Sequence, residues 1–162
     1  MSTLNQQPLT ALVTGATSGL GKEIALRLAR DGVHVIVVGR DADRGAAVID
    51  RIEKAGGQAR FIAADLSDTA DITQLTQEVG DIDVLVNNAG SSIWAPTEDM
   101  DIADFDSMFS SNVRAPFLLV GAFAPAMARR GTGSIINISS MAGRIGCLRP
   151  RPTGRPRPPL IR

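Results

Sequence analysis

Between residues 11 and 139 short apolar runs alternate with longer stretches of helical period, and this alternation constrains the fold more than any other feature. It is the signature of successive βαβ units around a parallel sheet. Strands are expected over 10–13, 34–38, 59–63, 83–86 and 134–138. Each is short and largely β-branched or aliphatic, as suits strands covered on both faces by crossover helices. Helices are expected over 20–30, 43–55, 69–79, 102–109 and 115–130. In the first, Ile24 and Leu28 with Ala25 and Ala29 make one apolar stripe. Gly32, Gly56-Gly57 and Gly131 to Gly133 punctuate the helix ends. Right-handed crossovers, with a change of direction after the third strand, give an α/β fold with a doubly wound sheet of order 3-2-1-4-5.

A chain of 162 residues suits one domain. No apolar run reaches the ~18 residues of a spanning helix, so no membrane association is expected. The polar start of the chain lacks a signal-peptide profile, and Cys147 is the only cysteine, which excludes an internal disulfide. These features point to a cytoplasmic protein. The formal charge of zero hides an asymmetry: residues 147–162 hold five Arg, five Pro and no acidic residue, against 12 basic and 17 acidic residues before them. Apolar periodicity stops there as well. The expected organisation is a dinucleotide-binding domain over 1–146 and a disordered Arg/Pro-rich tail over 147–162.

The strongest chemical signal is Thr14-Gly15-Ala16-Thr17-Ser18-Gly19-Leu20-Gly21, which leaves the first strand and opens the first helix. Gly15 suits the turn off the strand, Gly19 lets backbone approach a pyrophosphate, and Gly21 permits close helix packing. The helix N-terminus adds free N–H groups and a favourable dipole for phosphates. A Gly-rich strand-to-helix turn without a ligand is the alternative.

This segment resembles the glycine motif Thr-Gly-x-x-x-Gly-x-Gly of the short-chain dehydrogenase/reductase family at every fixed position. Three further landmarks follow in order: Asn87-Asn88-Ala89-Gly90 after the fourth strand, Asn112 in the long helical region, and Ile136-Asn137-Ile138-Ser139-Ser140 closing the fifth strand. The resemblance covers roughly residues 8–146. It implies a Rossmann-type fold, incomplete here at five strands, and hydride transfer between a nicotinamide cofactor and a small-molecule alcohol or carbonyl such as a 3-oxoacyl thioester. Carried over residue by residue, it gives Ser140 as the catalytic serine and Asn112 as the support of an active-site water. The implied cofactor contacts are Gly15, Thr17, Ser18, Gly19, Leu20, Gly21, Arg40, Asp65, Leu66, Asn88, Ala89 and Gly90, with Gly90 making room for a bound ring. The longer form of such a protein is expected to be a homo-oligomer, in the family manner, through the helices of 102–130.

Asp65 stands where the family hydrogen-bonds the adenine amino group, although Asp is equally at home as a helix N-cap. Gly39-Arg40 ends the second strand, where the ribose is read. A missing acid and a fork of donors there favour NADP, with NAD still open because Asp41 is adjacent. His34, at a strand start without catalytic partners, reads as structural, and Cys147 has no partner for nucleophilic or metal chemistry. No metal site is expected. Trp94 follows the Asn-Ala-Gly segment, to border a substrate or to pack.

The family pattern breaks at the proton donor. The family uses a Tyr with a Lys four residues later, and a nearby ammonium is a sensible way to make phenolate available. This sequence has no tyrosine, and the family spacing falls on Thr153 and Arg157. Synonymous codons for 147–159 exist whose frame two bases on encodes Tyr-x-x-x-Lys near 153 and 157, so the tail reads as frameshifted. The chain as written is expected to be inactive. Competing readings are a dinucleotide-binding module without catalysis and an interaction protein whose Pro156-Arg157-Pro158-Pro159 docks on a partner. Nucleic-acid binding is not expected, because the acidic body offers no basic face to extend the five Arg.

Overall fold

The computed structural model describes residues 8–93 and 95–140. Trp94, Cys147 and the tail 147–162, with Thr153 and Arg157, lie outside the described residues.

The aliphatic runs form five strands, β1 (Thr10–Thr14), β2 (His34–Gly39), β3 (Ala59–Ala63), β4 (Val84–Asn87) and β5 (Ser134–Asn137). All pair in parallel in the order β3-β2-β1-β4-β5, as the crossover argument requires. The helices are α1 (Gly19–Arg30), α2 (Ala42–Lys54), α3 (Thr69–Val79), α4 (Ile102–Phe109) and α5 (Ala115–Arg130). Alternate strand side chains feed two cores. Leu12, Ile36 and Leu85 face α3 and α5, whereas Val13, Val35, Val37 and Val86 face α1 and α2.

Two local expectations shift. In α1 the fully covered residues are Gly21, Ala25, Leu26 and Ala29, with Ile24 and Leu28 only partly buried. Three small residues and Leu26 therefore line the contact with the sheet, and Ile24 and Leu28 lie at its flank. The fourth strand starts at Val84 rather than at residue 83, because Asp83 accepts the backbone N–H of Thr10 (2.8 Å) and pairs with Arg130.

The largest departure lies between α4 and α5, where the sequence suggested a break. The chain instead continues as a π-helical segment, Ser110–Arg114, so 102–130 is helical throughout. Serine hydroxyls support the wider turn: Ser110 Oγ donates to the Asp106 carbonyl (2.6 Å) and Ser111 Oγ to that of Ser107 (3.2 Å). Single π turns inside α-helices are frequent at functional sites.

Candidate functional site

In a parallel sheet all strands point their C-terminal ends the same way, and ligands bind where the strand order reverses. Here that point lies between β1 and β4. A cavity of about 420 Å³ opens beside it.

Two sequence landmarks meet at its floor. Thr14 is 1% exposed at the end of β1. Its hydroxyl oxygen accepts the backbone N–H of Asn88 (2.9 Å) and of Ala89 (3.0 Å), and its own proton goes to the Val86 carbonyl (3.3 Å). In return, the Asn88 side-chain amide donates to the carbonyls of Thr14 (2.9 Å) and Gly15 (3.4 Å). The glycine turn and the Asn-Asn-Ala-Gly segment are thus one stitched unit. Gly15 has φ +62°, and a Cβ there would sit 2.9 Å from the Ala89 Cα. At Gly21 a Cβ would collide with the Asn88 amide and with the Gly15 carbonyl (2.5 Å). Gly21 therefore serves contact between the helix and its own turn, more than packing on the sheet.

The start of α1 stands above this floor. Ser18 is the N-cap of α1, yet its side chain makes no cap hydrogen bond, unlike Asp41, Asp68 and Asp101 at α2, α3 and α4. The first N–H groups of α1 therefore have no side-chain cap, an arrangement that suits an anion. Gly19, at φ +53°, has nothing within 4 Å of where a Cβ would stand. Thr17 packs on Gly39, where a Cβ would lie 2.6 Å from its Cγ2. This explains why β2 ends in Gly, a constraint the sequence reading missed.

The side of the cavity under β2 and β3 is charged. Arg40 and Arg44 both line it. Arg40 is exposed and stands 3.9 Å from Asp65. Asp41 caps α2 through the Arg44 N–H and pairs with its guanidinium at 2.7 Å. The Arg44 backbone and side chain hold the Asp41 carboxyl below its ordinary pKa. Asp41, which weakened the sequence argument for NADP, is thus already neutralised by Arg44.

Asp65 is not a helix N-cap, because Asp68 holds that place on α3. Its carboxylate accepts the Ser67 N–H (2.9 Å) and hydroxyl (2.8 Å). Those bonds, with Arg40 nearby, lower its pKa. Its neighbour Leu66 packs in the core and also lines the cavity.

Gly15, Thr17, Ser18, Asn88, Ala89 and Gly90 line the cavity with Arg40, Asp65 and Leu66. The other expected site residues are off its wall. Gly19, Leu20 and Gly21 form the start of α1, where Leu20 is 58% exposed. Asn112 uses its side chain on Ser91: Oδ1 accepts the Ser91 N–H and Nδ2 donates to the Ser91 carbonyl, both at 2.8 Å. Its amide clamps the loop after β4 at Ser91. The same clamp explains Gly90, whose Cβ would lie 3.3 Å from Asn112 Oδ1. Ser140 follows β5 and is exposed. It leaves the sheet at the cavity end, since Asn87 pairs with Asn137 and the Ile138 N–H donates to the Asn87 carbonyl (2.8 Å).

Thr14, Arg44 and Asn87 are site-forming residues that sequence reasoning passed over. Thr14 could have been found from its fixed place before the first glycine. Asn87 is 4% exposed and donates to Asn137 Oδ1 (2.9 Å), a pairing across fifty residues that no local pattern discloses. Among the described residues no group of His, Cys, Asp and Glu could hold a metal ion, and no helix is long and apolar enough to cross a membrane.

Comparison with known proteins agrees with this geometry. The short chain dehydrogenase family matches residues 9–149. An uncharacterized oxidoreductase of Thermotoga maritima is 36% identical over 145 residues, covering 88% of this chain and 58% of that protein. The ketoacyl reductase HetN of a Nostoc species is 38% identical over 141 residues, covering 85% and 49%. Among solved structures, a metagenomic short-chain oxidoreductase in complex with NADP superposes with a TM-score of 0.82 at 42% identity, covering 86% of this chain and 65% of that one. The chain therefore spans about half the length of the curated relatives it matches. A matched family over most of the chain, the strand order and the stitched glycine turn together place this chain in the short chain dehydrogenase family of oxidoreductases.

Proposed function

We propose that the cavity between β1 and β4 binds NADP(H) in preference to NAD(H), as the cofactor half of an oxidoreductase for an alcohol or carbonyl substrate. The observation that carries this reading is the joining of the glycine turn to Asn88-Ala89 by Thr14, beneath an uncapped helix N-terminus and beside two guanidinium groups. The residues fit the cofactor: Gly19 leaves the space a side chain would fill, and Arg40 and Arg44 offer donors to a 2′-phosphate. The NADP-bound relative at 42% identity supports the same choice.

When bound, the nicotinamide supplies or accepts hydride. The chain's own residues hold the pyrophosphate over the α1 N-terminus, orient the adenine beside Asp65 and place Ser140 where it can polarise a carbonyl. The ketoacyl reductase among the relatives is the basis for 3-oxoacyl thioesters as a substrate class. The sequence contains no tyrosine, the proton donor that the family resemblance implies, and on this reading the chain binds cofactor without efficient turnover.

Calorimetric titration with NADPH and NADH tests the reading. NADPH binds more tightly, and Arg40→Asp reverses or abolishes the preference. Equal affinity for both, unchanged by Arg40→Asp, overturns the assignment of Arg40. Retention of binding in Gly19→Val overturns the pyrophosphate assignment, since a branched side chain there fills the space over the helix N-terminus.

A further inference from the structure

The π-helical segment Ser110–Arg114 touches both rims of the cavity. Residues two apart on a helix point to roughly opposite sides. Asn112 reaches the loop after β4, where it clamps Ser91, and the Ser111 hydroxyl lies 2.8 Å from that of Ser91. Arg114 reaches the loop after β3 instead, where its Nη2 donates to the Ser67 carbonyl at 2.7 Å.

Ser67 is thereby held from two directions. Its N–H and hydroxyl go to Asp65 Oδ1, and its carbonyl accepts from Arg114. The Asp65 backbone N–H is fixed in turn by Asp71 Oδ2 (2.8 Å), and its carbonyl accepts the Asp68 N–H (3.0 Å). Asp65 and Ser67 both line the cavity, on the side formed by β2 and β3, which in a doubly wound sheet takes the adenosine half of a dinucleotide.

We propose that Arg114 is a positioning residue for the adenosine half of the site: it fixes the Asp65–Ser67 turn from the same helical segment whose Asn112 fixes the opposite rim. This rests on the reading of the cavity as a dinucleotide site. The guanidinium touches neither rim's ligand-facing atoms and acts through the Ser67 carbonyl. A charged donor suits the task, because such bonds are shorter and stronger than neutral ones. The two rims then share one rigid support, so a shift of the segment moves both.

The test uses the full chain, with adenosine 2′,5′-bisphosphate as the adenosine-half probe and NADPH as the whole ligand. Arg114→Ala weakens both by a similar factor, roughly threefold to tenfold, the range expected for loss of one hydrogen bond. Arg114→Lys, which keeps a donor, recovers part of the loss. In the Asp65→Asn background Arg114→Ala has less effect, because the two act through one turn. Amide hydrogen exchange gives a readout without ligand: Arg114→Ala speeds exchange at Ser67 and Asp68 and leaves Ser91 unchanged. Unchanged affinity and exchange in Arg114→Ala, or full additivity with Asp65→Asn, overturns the proposal while the dinucleotide reading stands. Failure of the parent chain to bind either probe overturns the dinucleotide reading and this proposal together.

Discussion

Thr14 does more for the site than any glycine beside it, and a single substitution isolates its part. Thr14→Val keeps the shape but removes the acceptor for the Asn88 and Ala89 N–H groups, which are then left in a protein-lined space with no hydroxyl. Leaving buried donors unpaired costs about 1–3 kcal/mol. Urea denaturation should show that loss, and cofactor affinity should fall with it because the cavity floor is the part released. Asp65 supplies a pH-dependent counterpart. Its native pKa is lowered by the Ser67 N–H, then by the Ser67 hydroxyl, with a smaller contribution from Arg40. A carboxylate with a depressed native pKa contributes stability that is fully present above the unfolded value near ~3.9 and lost as pH falls through the native value. Asp65→Asn should therefore destabilise the chain at neutral pH, and the gap to the parent should close below the ordinary carboxylate range. A gap that persists in acid rules out the charged bonds to Ser67 as its cause.

At the scale of elements, the sequence disclosed what is local and hid what is distant. Strand and helix boundaries follow from apolar runs and Gly stops, so they fall within a residue or two of the observed ones, and the order 3-2-1-4-5 follows from handedness. The π segment was not legible, because nothing in Ser110 to Arg114 distinguishes a widened turn from the end of a helix. Asp65 was legible as a polar anchor but not as the partner of Ser67, since Asp at a loop end suits a cap and a turn equally. The cap went to Asp68, and Asp65 was left to the cavity. The cross-strand pairing of Asn87 with Asn137 also escaped, as it needs β5 placed beside β4. It carries a prediction of its own. The Asn87 Oδ1 is buried without a partner among the described residues, so its amide depends on Asn137 alone. Asn137→Ala should cost about 1–3 kcal/mol by leaving that amide wholly unpaired, and it should loosen β5 and the exit of Ser140. Hydrogen exchange at Ile138 would report it, and an unchanged rate there would show that the pair does not hold the strand end.

At the scale of the whole molecule, two faces of the described chain remain uncovered. Ile102, Phe105, Phe109, Val113 and Phe117 along the α4–α5 helix are 47–75% exposed, and β5 ends the sheet with Ile136 and Ile138 also exposed. Apolar patches and bare strand edges of this kind favour association. Light scattering after gel filtration should return a mass above the 17.1 kDa of one chain, reduced by Phe117→Glu, and a monomer that melts cooperatively would contradict this. The same chain should bind cofactor yet fail to turn over. Hydride transfer to a carbonyl leaves an alkoxide, and a positioned acid or base contributes typically ~10²–10⁴-fold to such a step. The Tyr and Lys that the family resemblance implies fall on positions 153 and 157, which are Thr and Arg, and the sequence holds no tyrosine. Asn112 engages Ser91 through both ends of its side-chain amide. The comparison is a longer version in which the family's Tyr and Lys stand at 153 and 157 and the sequence continues as in the relatives that this chain half covers. Assayed side by side for NADPH oxidation with ketones and 3-oxoacyl thioesters, only that version should be active, and its Tyr→Phe variant should lose activity again. Comparable turnover by the chain as it stands would mean that a different group delivers the proton.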